Sequence, residues 1–128
     1  MATKQFPYAP KVVKDYLTSN LTGIRVATEV PNAWTGSLVT ITMVPGTGER
    51  NLVLSTRRLI IQCWSLKELD AGNLAERVRQ LLVDVPYTGV RWLRDVNVIG
   101  EPGRFDDPDT AMPRFQLTVD VLMRALTT

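Results

Sequence analysis

Three aspartates crowd the segment FDDPDT: Asp106, Asp107 and Asp109. Carboxylates at such spacing suit three kinds of chemistry. They ligate a hard cation, they work as a paired acid and base on a glycosidic or peptide bond, or they close turns by bonding to their own backbone. Calcium is poorly served, because the EF-hand spacing and its closing glutamate are missing and Pro108 interrupts the run. Acid–base work needs two carboxyl groups held rigidly in a dry cleft, which a polar surface loop supplies badly. A carboxylate-dependent hydrolase would require at minimum a pocket bringing Glu68 or Asp70 to these aspartates. Composition favours the third role, turn stabilisation. No metal and no cofactor is expected.

The remaining inventory narrows the chemistry further. With no His and a single cysteine, Cys63, the sequence holds no intrachain disulfide, no Cys/His zinc site, and no Ser–His or Cys–His pair. Gly46 and Gly48 in PGTGERN lack the spacing and the Gly-Lys-Ser/Thr ending of a phosphate loop, and read as a turn. Arg77 and Arg79 read as a solvated helix surface. The expectation is a protein with no catalytic residues.

The elements that position these residues follow from periodicity. PKVVKDYLTSN places Val12, Val13, Tyr16 and Leu17 on one helical face, with Pro10 at a tolerated start. GIRVATEV alternates through Ile24, Val26 and Val30 until Pro31, and predicts a half-buried strand. SLVTITMV and LVLSTRRLIIQCW, joined by PGTGERN, predict a β-hairpin. Leu74, Val78, Leu81, Leu82 and Val85 mark the clearest helix, stopped by Pro86, with Ser65 or Asp70 as its N-cap. GVRWLRDVNVIG alternates again, interrupted at Arg94. A polar loop is expected over 100–113. RFQLTVDVLMRA then sets Phe115, Leu117, Val119, Val121 and Met123 on one strand face, with Leu122 as the exception.

This order, α-β-β-β-α-β-β, predicts one α+β domain over residues 1–128: an antiparallel or mixed sheet of about five strands, with two helices on one face. The third and fourth strands, linked through the long helix, are expected to be parallel or separated across the sheet. At 45% hydrophobic and 22% charged, the 128 residues can bury a real core. MATKQFPYAP has no apolar stretch of signal-peptide length, and no run of eighteen or so apolar residues occurs, so a cytoplasmic origin and no membrane partner are expected. The net charge of +2 is too small to argue for nucleic-acid binding. Its distribution says more: residues 1–64 carry seven basic against three acidic side chains, a balance of +4, and 65–128 carry eight against ten, a balance of −2. Halves of opposite sign suit head-to-tail contacts between copies.

Three pieces in sequence then form a pattern: IRVATEVPN with Val30, Pro31 and Asn32; Cys63 and Trp64 ahead of an Ala-rich helix; and Asp107, Pro108 and Asp109 followed by Pro113, Arg114 and Phe115. In order and spacing, from about Ile24 to Arg124, the chain resembles the small tail terminator proteins of long-tailed bacteriophages, those of actinobacteria above all. It departs from them in Phe115, where tyrosine is expected, and in a hairpin less rich in glycine. The resemblance implies a non-enzymatic virion protein assembled in the host cytoplasm. Its copies form a ring, typically sixfold, that sits on the finished tail tube, stops addition of tube protein, and docks to the head-completion proteins while DNA passes through the lumen unread. A head-completion or neck connector of the same virion is the alternative, and a generic adaptor or nucleic-acid module a more distant one. For the subunit, tube and connector contacts, the expected residues are Arg50, Arg57 and Arg58 on the basic half and Arg104, Phe105, Asp106, Asp107, Asp109 and Arg114 around the loop.

Overall fold

The computed structural model describes residues 4–49, 54–90 and 92–127. In chain order the elements are β1 (Lys4–Gln5), α1 (Ala9–Asn20), β2 (Arg25–Ala27), β3 (Leu38–Glu49), β4 (Leu54–Trp64), α2 (Glu68–Val83), a 3₁₀ turn (Val85–Tyr87), β5 (Leu93–Arg104), β6 (Arg114–Arg124) and β7 (Leu126–Thr127). Strands β4 and β6 pair antiparallel without a break, from Leu54 opposite Arg124 to Trp64 opposite Arg114. Because side chains alternate, one face of this pair collects Leu59, Ile61, Cys63, Leu117, Val119, Val121 and Met123, all buried. Strand β3 adds antiparallel to β4, β2 adds parallel to β3, and β5 adds antiparallel to β6, giving the order β2-β3-β4-β6-β5. The fold is α+β, a mixed five-stranded sheet with both helices on one face. The strands before and after the long helix, β4 and β5, are separated by β6.

Both helices present the stripe that the spacing predicts. α1 buries Val13, Tyr16 and Leu17 against β2 and β3, with Pro10 in the first turn, where a missing N–H breaks no helical bond. The Tyr16 hydroxyl donates to the Leu81 carbonyl and ties α1 to α2; burial, then the nearby Asp84 carboxylate, raises its pKa. α2 covers β4, β5 and β6 with Ala71, Leu74, Ala75, Val78 and Leu82. Glu68 and Asp70 in its first turn suit the positive end of the helix dipole. Its N-cap is Lys67, with no side-chain cap, so neither Ser65 nor Asp70 fills that role; the Ser65 hydroxyl meets that of Ser37 at 3.2 Å. No described helix is long and apolar enough to cross a membrane.

Three boundaries and one pairing differ from expectation. Strand β2 pairs over three residues only, Arg25–Ala27 with Leu38–Thr40; Thr28 already breaks the apolar alternation, and Val30 is 58% exposed. Strand β3 runs on through Pro45 to Glu49, with a register shift between Val44 and Gly48 that takes up the proline; the rest of the expected turn, Arg50 included, lies outside the described residues. Strand β5 extends to Arg104, so the loop is 105–113 instead of 100–113. Its Gly100, Pro102 and Gly103 lie at register shifts on an outer strand, where a proline and bulges are tolerated. The interruption at Arg94 coincides with another shift, between Leu93 and Asp95. Finally, β1 pairs antiparallel with β7, Lys4 opposite Thr127 and Gln5 opposite Leu126, a contact that two-residue strands cannot announce by periodicity.

Ile61 is fully buried at the centre of the sheet. Ile61→Ala should lower stability by about 2–5 kcal/mol, read as a lower urea midpoint at unchanged slope. Thr42→Ala on the exposed face should move it by no more than about 0.5 kcal/mol.

Candidate functional site

Charged and aromatic side chains concentrate at the end of the sheet where β4 and β5 finish and β6 begins. Trp64 closes β4 directly opposite Arg114, which opens β6; their neighbours Cys63 and Phe115 point to the helices, so this pair lies on the other face. The Arg114 guanidinium stands 5.6 Å from the Trp64 ring centroid and 5.5 Å from that of Phe105, and its Nε donates to the Phe105 carbonyl at 2.9 Å. Trp34 extends the stack, its ring centroid 5.9 Å from Trp64 at an interplanar angle of 25°. Arg114 is only 8% exposed and has no ion-pair partner among the described residues. Two ring faces and a carbonyl hold the cation, with the Asp106 and Asp107 carboxylates nearby, an arrangement that suits a planar, stacking guanidinium better than a compact ammonium. The Trp64 Nε1–H is buried with no hydrogen-bond partner among the described residues.

The loop 105–113 is braced by its own bonds. Phe105 N donates to Arg114 O at 2.7 Å and Asp107 N to Met112 O at 3.2 Å, continuing the ladder past the ends of β5 and β6. Asp107 then closes the tip: its carboxylate accepts from Thr110 Oγ1 at 2.7 Å and from Asp109 N at 3.1 Å, and its carbonyl accepts from Ala111 N at 2.8 Å. This is the Asx turn that composition favours, and it holds Ala111 at φ 56°, a left-handed conformation unusual for a residue with a Cβ. The Thr110 hydroxyl, then the Asp109 amide, keep the Asp107 carboxyl below its usual pKa.

Arg104 joins the loop to α2. It holds Asp106 through Nε at 2.9 Å and Nη2 at 3.1 Å, and its Nη1 reaches Glu68 Oε2 at 2.9 Å. The hydrogen bond from Arg104 is the main reason the Asp106 carboxyl sits below its usual range. Glu68 is thus brought to the loop, but a cation stands between it and the nearest aspartate. Carboxylates clamped in their ionised form by an arginine fix position and recognise partners; they do not deliver protons near neutral pH. A second such clasp, Arg79 on Glu101, straps α2 to β5. Among the described residues, no three Asp, Glu or Cys side chains converge on a position that would hold a metal. Burial pushes the Cys63 thiol up to about 12, which makes it a poor nucleophile.

The expected contact residues fall in two places. Arg104, Phe105, Asp106, Asp107, Asp109 and Arg114 come together at the loop end, with Phe105 60% exposed and Arg114 turned inward. Arg57 and Arg58 lie in the other half of β4, each with a partner in its own chain. Arg57 donates to the Ser55 hydroxyl and stands 5.0 Å from the Phe6 ring centroid, and Arg58 grips Asp120 at 2.9 Å and 3.2 Å. Arg50 is outside the described residues. Spacing gives no hint of the Trp34–Trp64–Arg114–Phe105 stack, because the pairing that builds it joins residues fifty positions apart. The exposed Leu66 and Leu69 at the start of α2 are missed as well, since an exposed leucine inside a helical pattern looks like part of the core.

Arg114→Lys should lower stability by about 1–3 kcal/mol and shift the tryptophan emission, because a compact ammonium loses the planar stacking on the rings and the Nε–H bond to the Phe105 carbonyl; an unchanged melting midpoint would show that the stack adds nothing. The Asp107 carboxyl has a depressed pKa, so its contribution to the loop is complete above the ordinary aspartate value of about 3.9 and is lost as pH falls through the lower folded value. Amide exchange at Asp109, followed by NMR, should therefore stay slow down to about pH 4 and quicken in stronger acid while Ile61 remains protected. Comparison of the chain with protein-family models and with curated protein sequences finds no match, so the site rests on its own geometry.

Proposed function

We propose that the chain is a structural, non-enzymatic component of a long-tailed bacteriophage virion: a tail terminator whose copies close into a ring on the tail tube. Six copies in that ring stop addition of tube protein, offer their outer face to the head-completion proteins, and let DNA through the lumen without reading it. The observation that carries this reading is the build of the loop end. A loop with its polar groups bonded to one another displays Phe105, 60% exposed, while the start of α2 displays Leu66 and Leu69 at 75% and 71%. Apolar surface held out on a braced frame serves contact with another protein surface.

A ring made from one repeated contact needs two different patches on each copy. The loop end, with Arg104, Phe105, Asp106, Asp107, Asp109 and Arg114, is one; the half of the molecule bearing Arg57 and Arg58 is the other. Arg58 and Asp106 are already paired within the chain, which leaves Arg57 and Asp109 as the charges best able to attract across the interface. Exposed ion pairs contribute only about 0–1 kcal/mol each, so they set register while Phe105 and its apolar neighbours supply most of the affinity. The small net charge of +2 suits a lumen that does not grip phosphate.

Electron microscopy of phage lysates lacking this chain tests the proposal. Tails of uncontrolled length are the expected result; free tails of normal length would assign the chain to the neck instead. Purified protein added to growing tube protein should halt elongation, and Leu66→Asp, at a side chain 75% exposed and outside the core cluster, should remove that effect while leaving the melting midpoint unchanged.

A further inference from the structure

Residues 28–37 lead from β2 back to β3, and we propose that they form a hinged lid, shut in this structure, whose Trp34 lifts off Trp64 and uncovers that indole as a further contact at the loop end. The motion is a property of the chain itself; its use in contact rests on the function proposed above.

The segment is fastened quite unlike the loop beside it. Loop 105–113 is closed by bonds of its own, whereas 29–36 make no backbone–backbone hydrogen bond among the described residues. Glu29, Val30, Asn32, Ala33, Thr35 and Gly36 are all exposed. A cleft of about 360 Å³ is lined by Lys14 of α1, by Arg25 of β2 and by 27–32, so the first half of the segment leaves space between itself and the body. What holds the second half is the Trp34 ring, 5.9 Å from that of Trp64. A loop of exposed backbone tied down by one side chain opens without disturbing the strands at its ends.

Hinge and seat are both built in. Gly36 has a φ of 76° and nothing within 4 Å of a Cβ placed on it, so the shut lid depends on a backbone conformation that glycine adopts freely, at a point with room to swing. Just beyond it, the Ser37 hydroxyl meets that of Ser65 at 3.2 Å and Leu38 is fully buried opposite Trp64, which anchors the foot of the lid. The seat, Trp64, is 4% exposed, and its Nε1–H has no partner among the described residues. Stacking favours the shut state; a buried donor without an acceptor opposes it. The two contributions have opposite sign, and the lifted state therefore stays within thermal reach.

The lid controls what the loop end displays. Shut, that end shows Phe105 and keeps Trp64 covered; lifted, it adds the Trp64 indole, with the Arg114 guanidinium 5.6 Å from its ring centroid. Contact through the lifted form is weakened by the fraction of chains that are shut, so the lid sets the concentration at which contact begins.

Hydrogen exchange of the full chain, followed by NMR and corrected for intrinsic rates, tests the hinge. In wild-type protein the Trp64 indole N–H should exchange faster than the Ile61 amide, since lifting the lid does not require unfolding. Gly36→Ala raises the cost of the shut conformation alone and should speed indole exchange about tenfold while Ile61 stays unchanged. Gly36→Asn, whose side chain tolerates the left-handed region, should stay close to wild type. Gly89, at φ 74° and equally open but outside the lid, is the control: Gly89→Ala should leave Trp64 exchange as it is. An indole that exchanges no faster than Ile61, or that responds equally to both alanine variants, overturns the lid. Added to growing tube protein, Gly36→Ala should halt elongation at a lower concentration than wild type, by up to about tenfold. Equal potency overturns the use of the lid in contact. Wild-type protein that fails to halt growth sinks the ring reading instead, and the exchange rates then decide the lid by themselves.

Discussion

The unbroken register between β4 and β6 is the constraint on which the other features depend. Eleven consecutive residues of each strand face one another, and a slip of a single position would carry Leu59, Ile61 and Cys63 from the covered face to the open one. The same register sets Trp64 opposite Arg114 and Cys63 opposite Phe115. The stack on one side of the sheet and the packing of Phe115 against Gly72 of α2 on the other are therefore two results of one alignment. The apolar cluster of Leu117, Val119, Val121 and Met123 under α2 makes any other alignment costly, so the core enforces the geometry of a surface that contributes nothing to the core.

The two faces of the sheet solve burial differently. Under the helices the buried positions of β4 and β6 are apolar from Leu59 to Cys63 and from Leu117 to Met123, whereas on the open face polar side chains bond to each other across the strands: Gln62 to Gln116 at 3.0 Å, and Arg58 to Asp120. Such pairs let a sheet stand without a second layer, because water can reach what the pairs leave unsatisfied. They also consume charge. Arg58, Arg79 and Arg104 each clasp a carboxylate of their own chain, and beside these pairs the molecule holds out a few exposed apolar side chains.

Much of this was legible in the residues. The stripe of Leu74, Val78 and Leu82 and the alternation from Phe115 to Met123 announce α2 and β6, because each buries one face against a single partner layer and periodicity records that directly. What stayed hidden were strands written in loop residues. Gly100, Pro102 and Gly103 belong to β5, and Pro45 to β3, since outer strands with bulges tolerate residues that a central strand excludes. Val30 misled in the other direction: it stands beyond Thr28, where the apolar alternation and the pairing of β2 with β3 have already ended. At the site, composition alone gave the self-bonding role of Asp107. The inward turn of Arg114 was not legible, because an arginine after a proline looks solvated until the tryptophan that covers it is known.

The β1–β7 pairing has a topological result. By placing Lys4 beside Thr127 it brings the two ends of the described chain to adjacent strands, about 5 Å apart, so the backbone traces an almost closed circuit. Any polypeptide joined at either side would leave the body at one shared point, away from the loop end. The sequence can therefore be opened elsewhere and sealed there by a short linker, a rearrangement that keeps every strand neighbour while moving the free ends to a surface of choice.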